Sequence, residues 1–242
     1  MTLLLLAGTG EARDIARALS ERQVPVIASL AGVTRAPRAL GVPTRLGGFG
    51  GDAGFRSYLR ENAITAVLDA THPFAHQVSL RSARLCAEEN IPYCQLLRPA
   101  WAPSPEDDWT ILHDEAEAAE HIAPGSTAFL ATGRQTLHRF ANLDRCRLIC
   151  RQIDPPDGPF PFANGAFLVG RPPFSEEDEF TLFQRLGVDW LVAKNAGGTV
   201  PFTKFLAARR LGIRVAMIAR PPQPVATRVQ TVSEALDWVA GL

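Results

Sequence analysis

Short apolar runs alternate with amphipathic stretches along the first hundred residues. Thr2–Ala7, apolar from Leu3 onward, reads as a buried strand, and Glu11–Arg22 as a helix with Ile15, Ala16 and Leu19 on one face. Val24–Ser29 is a second strand and Thr44–Leu46 a third, before a helix around Asp52–Glu61. Ala66–Asp69 has the pattern of a buried strand, Phe74–Glu89 of a helix, and Tyr93–Leu96 of another strand. Strands separated by helices in this rhythm imply a parallel sheet covered on both faces.

The texture then breaks. Residues 98–108 hold Pro99, Pro103 and Pro105 with no periodicity and read as a linker. Alternation resumes with a strand at Thr127–Ala131, a helix from about Gly133 to Asn142 and a strand at Arg147–Gln152. A Pro- and Gly-rich loop follows from Pro155 to Gly165, then a short strand at Phe167–Val169. Ser175–Leu186 is a helix with Ser175 as its N-cap and Asp178 completing a capping box. Trp190–Ala193 and Arg214–Ile218 are strands flanking a helix at Pro201–Leu211, and Ser233–Val239 closes the chain as a helix. The expected fold is α/β: two Rossmann-like domains with mostly parallel sheets and an interdomain cleft. The expected division is a first domain over residues 1–100 and a second over 101–242, with the linker near 98–108 between them.

Composition narrows the function classes. With 242 residues and 46% hydrophobic content the chain can bury a sizeable core, and 25 basic residues balance 25 acidic ones. That balance gives no basic field for nucleic acid, and no apolar run approaches the roughly 18 residues of a spanning helix, so neither nucleic acid nor membrane is expected as a partner. The opening strand lacks a positive flank and runs straight into Gly8, unlike a signal peptide. Cys86, Cys94, Cys146 and Cys150 form no CxxC, which suits reduced thiols in a cytoplasmic protein. Only two of the basic residues are lysines, Lys194 and Lys204, and both fall in one segment.

In open parallel sheets ligands bind beyond the carboxyl ends of strands. The first such end, Gly8-Thr9-Gly10-Glu11-Ala12-Arg13, is most of a GxGxxG fingerprint with Arg13 at the third glycine position. It suits a pyrophosphate; the alternative is a plain tight turn. After the second strand come Ser29, Ala31, Gly32, Thr34 and Arg35, with no carboxylate for a ribose 2′-OH, which favours NADPH over NADH. The next end places Thr71 and His72 at a helix mouth, with Pro73 in the first helical turn. His72 and His76 lack a third metal ligand, so no metal is expected. In the second half, Thr132, Gly133 and Arg134 open a helix after a strand and suit an anion. Lys194, Asn195, Gly197 and Gly198 repeat that arrangement, with Lys204 on the next helix.

In that order, Gly8-Thr9-Gly10-Glu11-Ala12-Arg13, Asp69-Ala70-Thr71-His72-Pro73-Phe74-Ala75, Arg98-Pro99 with Trp101, Thr132-Gly133-Arg134, Lys194-Asn195 with Gly197-Gly198 and Lys204, and Ala219-Arg220-Pro221 resemble the precorrin-6A reductase family of cobalamin biosynthesis. The likeness spans nearly the whole chain, departing at Gly170-Arg171-Pro172-Pro173-Phe174, where a shorter Gly-Pro-Phe is expected. The resemblance implies an NADPH-dependent oxidoreductase that reduces one double bond of the tetrapyrrole precorrin-6A to give precorrin-6B, or acts on the cobalt-containing analogue. It also implies transient contact with neighbouring pathway enzymes. Gly8, Thr9, Gly10, Glu11, Arg13 and Thr71 with the Ser29–Arg35 segment then hold the cofactor. Thr132, Gly133, Arg134, Asn195, Gly197 and Gly198 hold the substrate, and Lys194, Lys204 and His72 are the candidate catalytic residues. Two rival readings are a non-catalytic NADP-binding redox sensor and, behind it, an S-adenosylmethionine-dependent methyltransferase.

Overall fold

The structure is a computed structural model that describes residues 1–32 and 38–242. It divides into two compact units, Met1–Pro99 together with Pro221–Leu242, and Ala100–Arg220. The elements run β1 (Leu3–Leu6), α1 (Gly10–Glu21), β2 (Val26–Leu30), β3 (Thr44–Leu46), α2 (Gly51–Glu61), β4 (Ala66–Asp69), α3 (His76–Glu88) and β5 (Tyr93–Leu96). Then come β6 (Trp109–Leu112), α4 (Ala118–His121), β7 (Thr127–Leu130), β8 (Arg147–Gln152), β9 (Gly165–Val169) and α5 (Glu176–Leu186). The chain ends with β10 (Trp190–Lys194), α6 (Thr203–Leu211), β11 (Arg214–Ile218), β12 (Thr227–Val229) and α7 (Val232–Ala240).

Each unit holds one six-stranded, all-parallel sheet. The first is ordered β12-β5-β4-β1-β2-β3 and the second β6-β11-β10-β7-β8-β9. Read from the far edge, both follow the doubly wound order 3-2-1-4-5 with a sixth strand at the end. In a plain tandem of two such sheets the sixth strand of the chain closes the first sheet and the twelfth closes the second. Here the two are exchanged.

The apolar run at β1 explains why it sits centrally. Leu3 and Leu5 enter one core layer with Ala12, Ile15 and Ala16 of α1 and Ala235 and Val239 of α7. Leu4 and Leu6 enter the opposite layer with Phe55 and Leu59 of α2 and Leu85 of α3. A strand buried on both faces has no polar alternation to show. In the second unit, Phe129, Leu191 and Val215 pack against Phe183 of α5 and Phe205 and Ala208 of α6.

Several expectations need correction. The boundary at 101–242 fails at its far end, because β12 pairs with β5 (Thr227 with Cys94) and α7 joins the α1 core layer. The structure adds β6 and β12 to the expected strands; both are edge strands, and β12 is a three-residue segment without apolar alternation. Pro73 lies outside the helix: a turn closes from Ala75 N–H to the His72 carbonyl at 2.7 Å, and α3 starts at His76. The helix expected from Gly133 is a 3₁₀ segment, Arg134–Phe140, whose buried residues Leu137 and Phe140 are three apart, the spacing that eclipses in a 3₁₀ turn. The Ser175–Asp178 capping box is present with both bonds. All four cysteines are buried thiols, and burial pushes Cys86 up to about 12. Among the described residues no helix is long and apolar enough to cross a membrane.

Candidate functional site

Both sheets reverse strand order at one place, between β1 and β4 in the first and between β7 and β10 in the second. Crevices outside such switch points are where doubly wound sheets take ligands. The glycine turns after β1 and β7 and the segments after β4 and β10 lie at these two places.

In the first unit Thr9 links the two sides of the switch point. Its hydroxyl donates to the Ala70 carbonyl at 2.8 Å and accepts from Ala12 N–H at the start of α1. Gly8 and Gly10 face open space: a Cβ on either meets nothing within 4 Å, so a bound group can approach the backbone there. The third position of the fingerprint does not serve helix packing. Arg13 is exposed and Ala12 and Ala16 make the close approach instead, which leaves the Arg13 guanidinium available to an anion. Glu11 is engaged by Arg98, whose Nη1 donates to both carboxylate oxygens at 2.9 and 3.0 Å. That ion pair makes Glu11 a brace for the loop rather than an obvious ligand contact.

Across the switch point, Asp69 at the end of β4 is fully buried. It accepts from Thr71 N–H at 2.9 Å and from the Tyr93 hydroxyl at 2.7 Å, fixing the path of the Thr71–His72 segment. Burial, with the Asp69 charge beside it, pushes the Tyr93 phenol up, so it stays a hydrogen-bond donor. His72 is half-buried and its Nδ1 accepts from Phe74 N–H at 3.3 Å; it lies off the helix that carries His76.

At the end of β2 the structure brings in a residue that sequence reading passed over. Arg45 on β3 donates to the Ser29 hydroxyl and to the Gly47 carbonyl, both at 2.8 Å, and stacks 3.9 Å over the Phe49 ring. The next-strand position opposite Ser29 was the available signal, since β2 pairs Ser29 with Arg45. Ala31 and Gly32 are exposed, with Gly32 at φ +78° close to Gly47. Thr34 and Arg35 lie outside the described residues.

In the second unit Gly133 turns the chain at φ +75° after β7, and Arg134 reaches Asp157 at 3.4 Å. A shallow groove of about 430 Å³ beside them is lined by Arg134, Leu137, His138, Pro161, Phe162 and Phe167. Asn195 clamps the incoming chain through both amide atoms, accepting from Trp101 N–H at 2.8 Å and donating to its carbonyl at 2.9 Å. Trp101 Nε1 donates to the Gly198 carbonyl at 2.7 Å, and Gly197 and Gly198 both adopt positive φ. Asn195 and Gly198 therefore shape the loop rather than present free polar groups.

The two lysines part company. Lys194 ends β10 with a side chain 15% exposed, 3.6 Å from Glu115 and 3.4 Å from Thr136. Burial lowers its pKa, with Glu115 opposing. Lys204, on α6, lies on the other side of the sheet. It bonds the Pro201 carbonyl, sits 4.9 Å over the Phe205 ring, and is lowered to about 8 by burial, then by the Arg151 charge. At pH 7 the folded chain keeps that ammonium protonated at a cost. Between about 8 and 10.5 the folded form sheds the proton while the unfolded chain retains it, so stability is gained as pH rises. Lys204→Met is thus expected to exceed the wild type in stability at pH 7 by up to about 3 kcal/mol. Denaturant titrations should show the gap closing towards pH 10, and a constant gap refutes the depressed ammonium.

A model of the precorrin-6x reductase CbiJ/CobK family matches residues 2–240. A precorrin-6A reductase of Rhodococcus erythropolis is 42% identical, over 99% of this chain and 98% of that one. A cobalt-precorrin-6A reductase of Priestia megaterium is 30% identical, over 96% of this chain and 95% of that one. The solved structure of a CobK precorrin-6A reductase superposes with a TM-score of 0.95 at 37% identity, covering 100% of this chain and 97% of that one. The motif order, the two doubly wound sheets and these full-length matches lead to one conclusion: the chain belongs to the precorrin-6x reductase CbiJ/CobK family.

Proposed function

We propose that this chain is a cytoplasmic precorrin-6A reductase that uses NADPH to reduce one double bond of the metal-free macrocycle to precorrin-6B. The observation that carries the reading is the pair of switch points, each furnished with glycine turns and cations, in a full-length member of a reductase family. A sensor leaves the second set without a task. The metal-free substrate follows the 42% identity to a precorrin-6A enzyme, against 30% to one named for the cobalt form.

The open space over Gly8 and Gly10 and the start of α1 suit a pyrophosphate, with Arg13 as its cation. At the end of β2, Ser29 with Arg45 supplies a hydroxyl and positive charge where an NAD site has a carboxylate, which suits a 2′-phosphate. Thr71, held by Asp69, borders the same switch point. When bound, the dihydronicotinamide supplies hydride; the product also needs one proton. Lys194 holds that proton at Nζ, at the end of β10 and beside Thr136 and Glu115. Arg134 receives a carboxylate arm of the macrocycle, and Lys204 with Trp101 supports the loop from the far side of the sheet.

Incubating the chain with precorrin-6A and NADPH, then NADH, tests the reading. Macrocycle and NADPH absorbance should fall together, with kcat/KM for NADPH about 10-fold or more above NADH, the worth of one or two charge-assisted hydrogen bonds. NADPH binding with an unchanged macrocycle spectrum overturns it, and turnover of cobalt-precorrin-6A alone moves the chain to the cobalt substrate.

A further inference from the structure

Three buried polar atoms in the second unit lack any hydrogen-bond partner among the described residues: Thr132 Oγ1 and both amide atoms of Gln152. Gln152 is 6% exposed. Such atoms are rare in folded proteins, and each calls for a partner, be it a water, an ion or a group of a ligand.

Their placement is specific. Leu130 of β7 pairs with Cys150 of β8 and with Val192 of β10, and the ladder continues through Ala131 N–H to the Val192 carbonyl. Two residues further along come Gln152, the last residue of β8, Lys194, the last of β10, and Thr132, in the turn that follows β7. With a pleat period of two, Gln152 and Lys194 project on one face, at the carboxyl rim of the two strands that flank β7, and Thr132 lies in the turn at the end of β7 between them. Lys194 identifies that face, since it touches Thr136 and Glu115, while Leu191 and Ala193 of the same strand enter the layer of α5 and α6. Gln152 also ends the strand second in the doubly wound order, the place from which such sheets contact a bound ribose. The first unit has Ala31 there by the same register, because Leu6 pairs with Ser29.

Resting on the reductase reading, we infer that Thr132 and Gln152 form the subsite for one carboxylate arm of the tetrapyrrole substrate. The Thr132 hydroxyl and the Gln152 amide donate to its oxygens, and the Lys194 ammonium on the same rung adds positive charge. Gln152 is a substrate-binding residue that the sequence motifs do not mark.

The test uses the full-length chain with Gln152→Leu, Gln152→Glu and Thr132→Val. Each should raise KM for precorrin-6A by about 10- to 100-fold, the worth of a hydrogen bond to a charged group, with KM for NADPH unchanged. Calorimetric binding of precorrin-6A without NADPH should weaken by the same factor. Gln152→Glu should be at least as damaging as Gln152→Leu, because it sets like charges together. The melting temperature of Gln152→Leu should match or exceed the wild type, since an unpaired buried amide has been replaced by an apolar group. A clear fall in that temperature with wild-type binding marks Gln152 as structural and overturns the inference. So does a Gln152→Glu variant that binds as well as wild type, because its partner is then no carboxylate. A wild-type chain that neither binds nor consumes precorrin-6A removes the reductase reading itself, an outcome separable from loss confined to the variants.

Discussion

Lys194→Met is expected to lower kcat for macrocycle reduction by about 10²- to 10⁴-fold, the usual contribution of a positioned general acid. Methionine fills the same volume without charge, so the β10 terminus keeps its packing while the proton source is lost. The pH profile supplies the more specific reading. Burial holds the Lys194 pKa below the ordinary 10.5, and the Glu115 carboxylate 3.6 Å away pulls it part of the way back. With Lys194 as the proposed acid the protonated form is the active one, so kcat should be flat through neutral pH and fall as pH rises through the lowered pKa. Glu115→Gln removes the charge that favours the ammonium, so the alkaline limb should move to lower pH. Stopped-flow single turnovers across pH 6–11, roughly the span between unperturbed His and Lys values, measure both. If Lys194→Met raises only KM, Lys194 anchors a carboxylate and water brings the proton.

The largest effect on stability should come from Glu179→Leu. Glu179 on α5 accepts two bonds at 2.7 Å from Arg151 of β8, and the side chains are 3% and 11% exposed. Removing the carboxylate leaves a guanidinium buried between Phe129 and Phe174 with the Lys204 ammonium nearby. Breaking a buried pair from one side typically costs about 3–5 kcal/mol, because the surviving charge has lost its compensation. The loss should register in the unfolding of Ala100–Arg220, where both residues lie. Adding Arg151→Met to Glu179→Leu should restore most of it, since paired charges replaced by apolar groups of similar volume are often neutral. A single variant within about 1 kcal/mol of wild type on denaturant unfolding shows that water reaches the pair and screens it.

What the sequence disclosed follows the physics of each segment. Strands buried on both faces, such as Leu3–Leu6 and Trp190–Lys194, announce themselves as apolar runs that end in glycine-containing loops, and so the parallel sheets and their carboxyl ends are legible. Edge strands are not. Thr227-Arg228-Val229 has one covered face and a single inward apolar residue, and it becomes a strand only because β5 offers it a ladder. The site divides in the same way. Thr9, Gly8 and Gly10 act through local turn and cap geometry that adjacent residues encode. Arg45 and Gln152 owe their places to register between strands 16 and more residues apart, as the Arg45 to Ser29 bond illustrates, and spacing along one chain carries no trace of that. Lys194 and Lys204 show the same limit: they fall in one segment of the sequence, and the sheet parts them.

The exchange of β6 and β12 has a temporal side. During synthesis the first five strands leave the ribosome with β5 as an open edge, and the segment that covers it lies beyond the whole second unit; Gln95 and its partner Gln223 are 128 residues apart. Long-range pairings of this kind form late and slowly. The second unit, by contrast, has its edge strand already in hand before its own β7 is made. The part of the chain born first is therefore the last to be finished. For that interval its unpaired strand is open to whatever other strand comes past, and a nascent chain is most in need of a chaperone there.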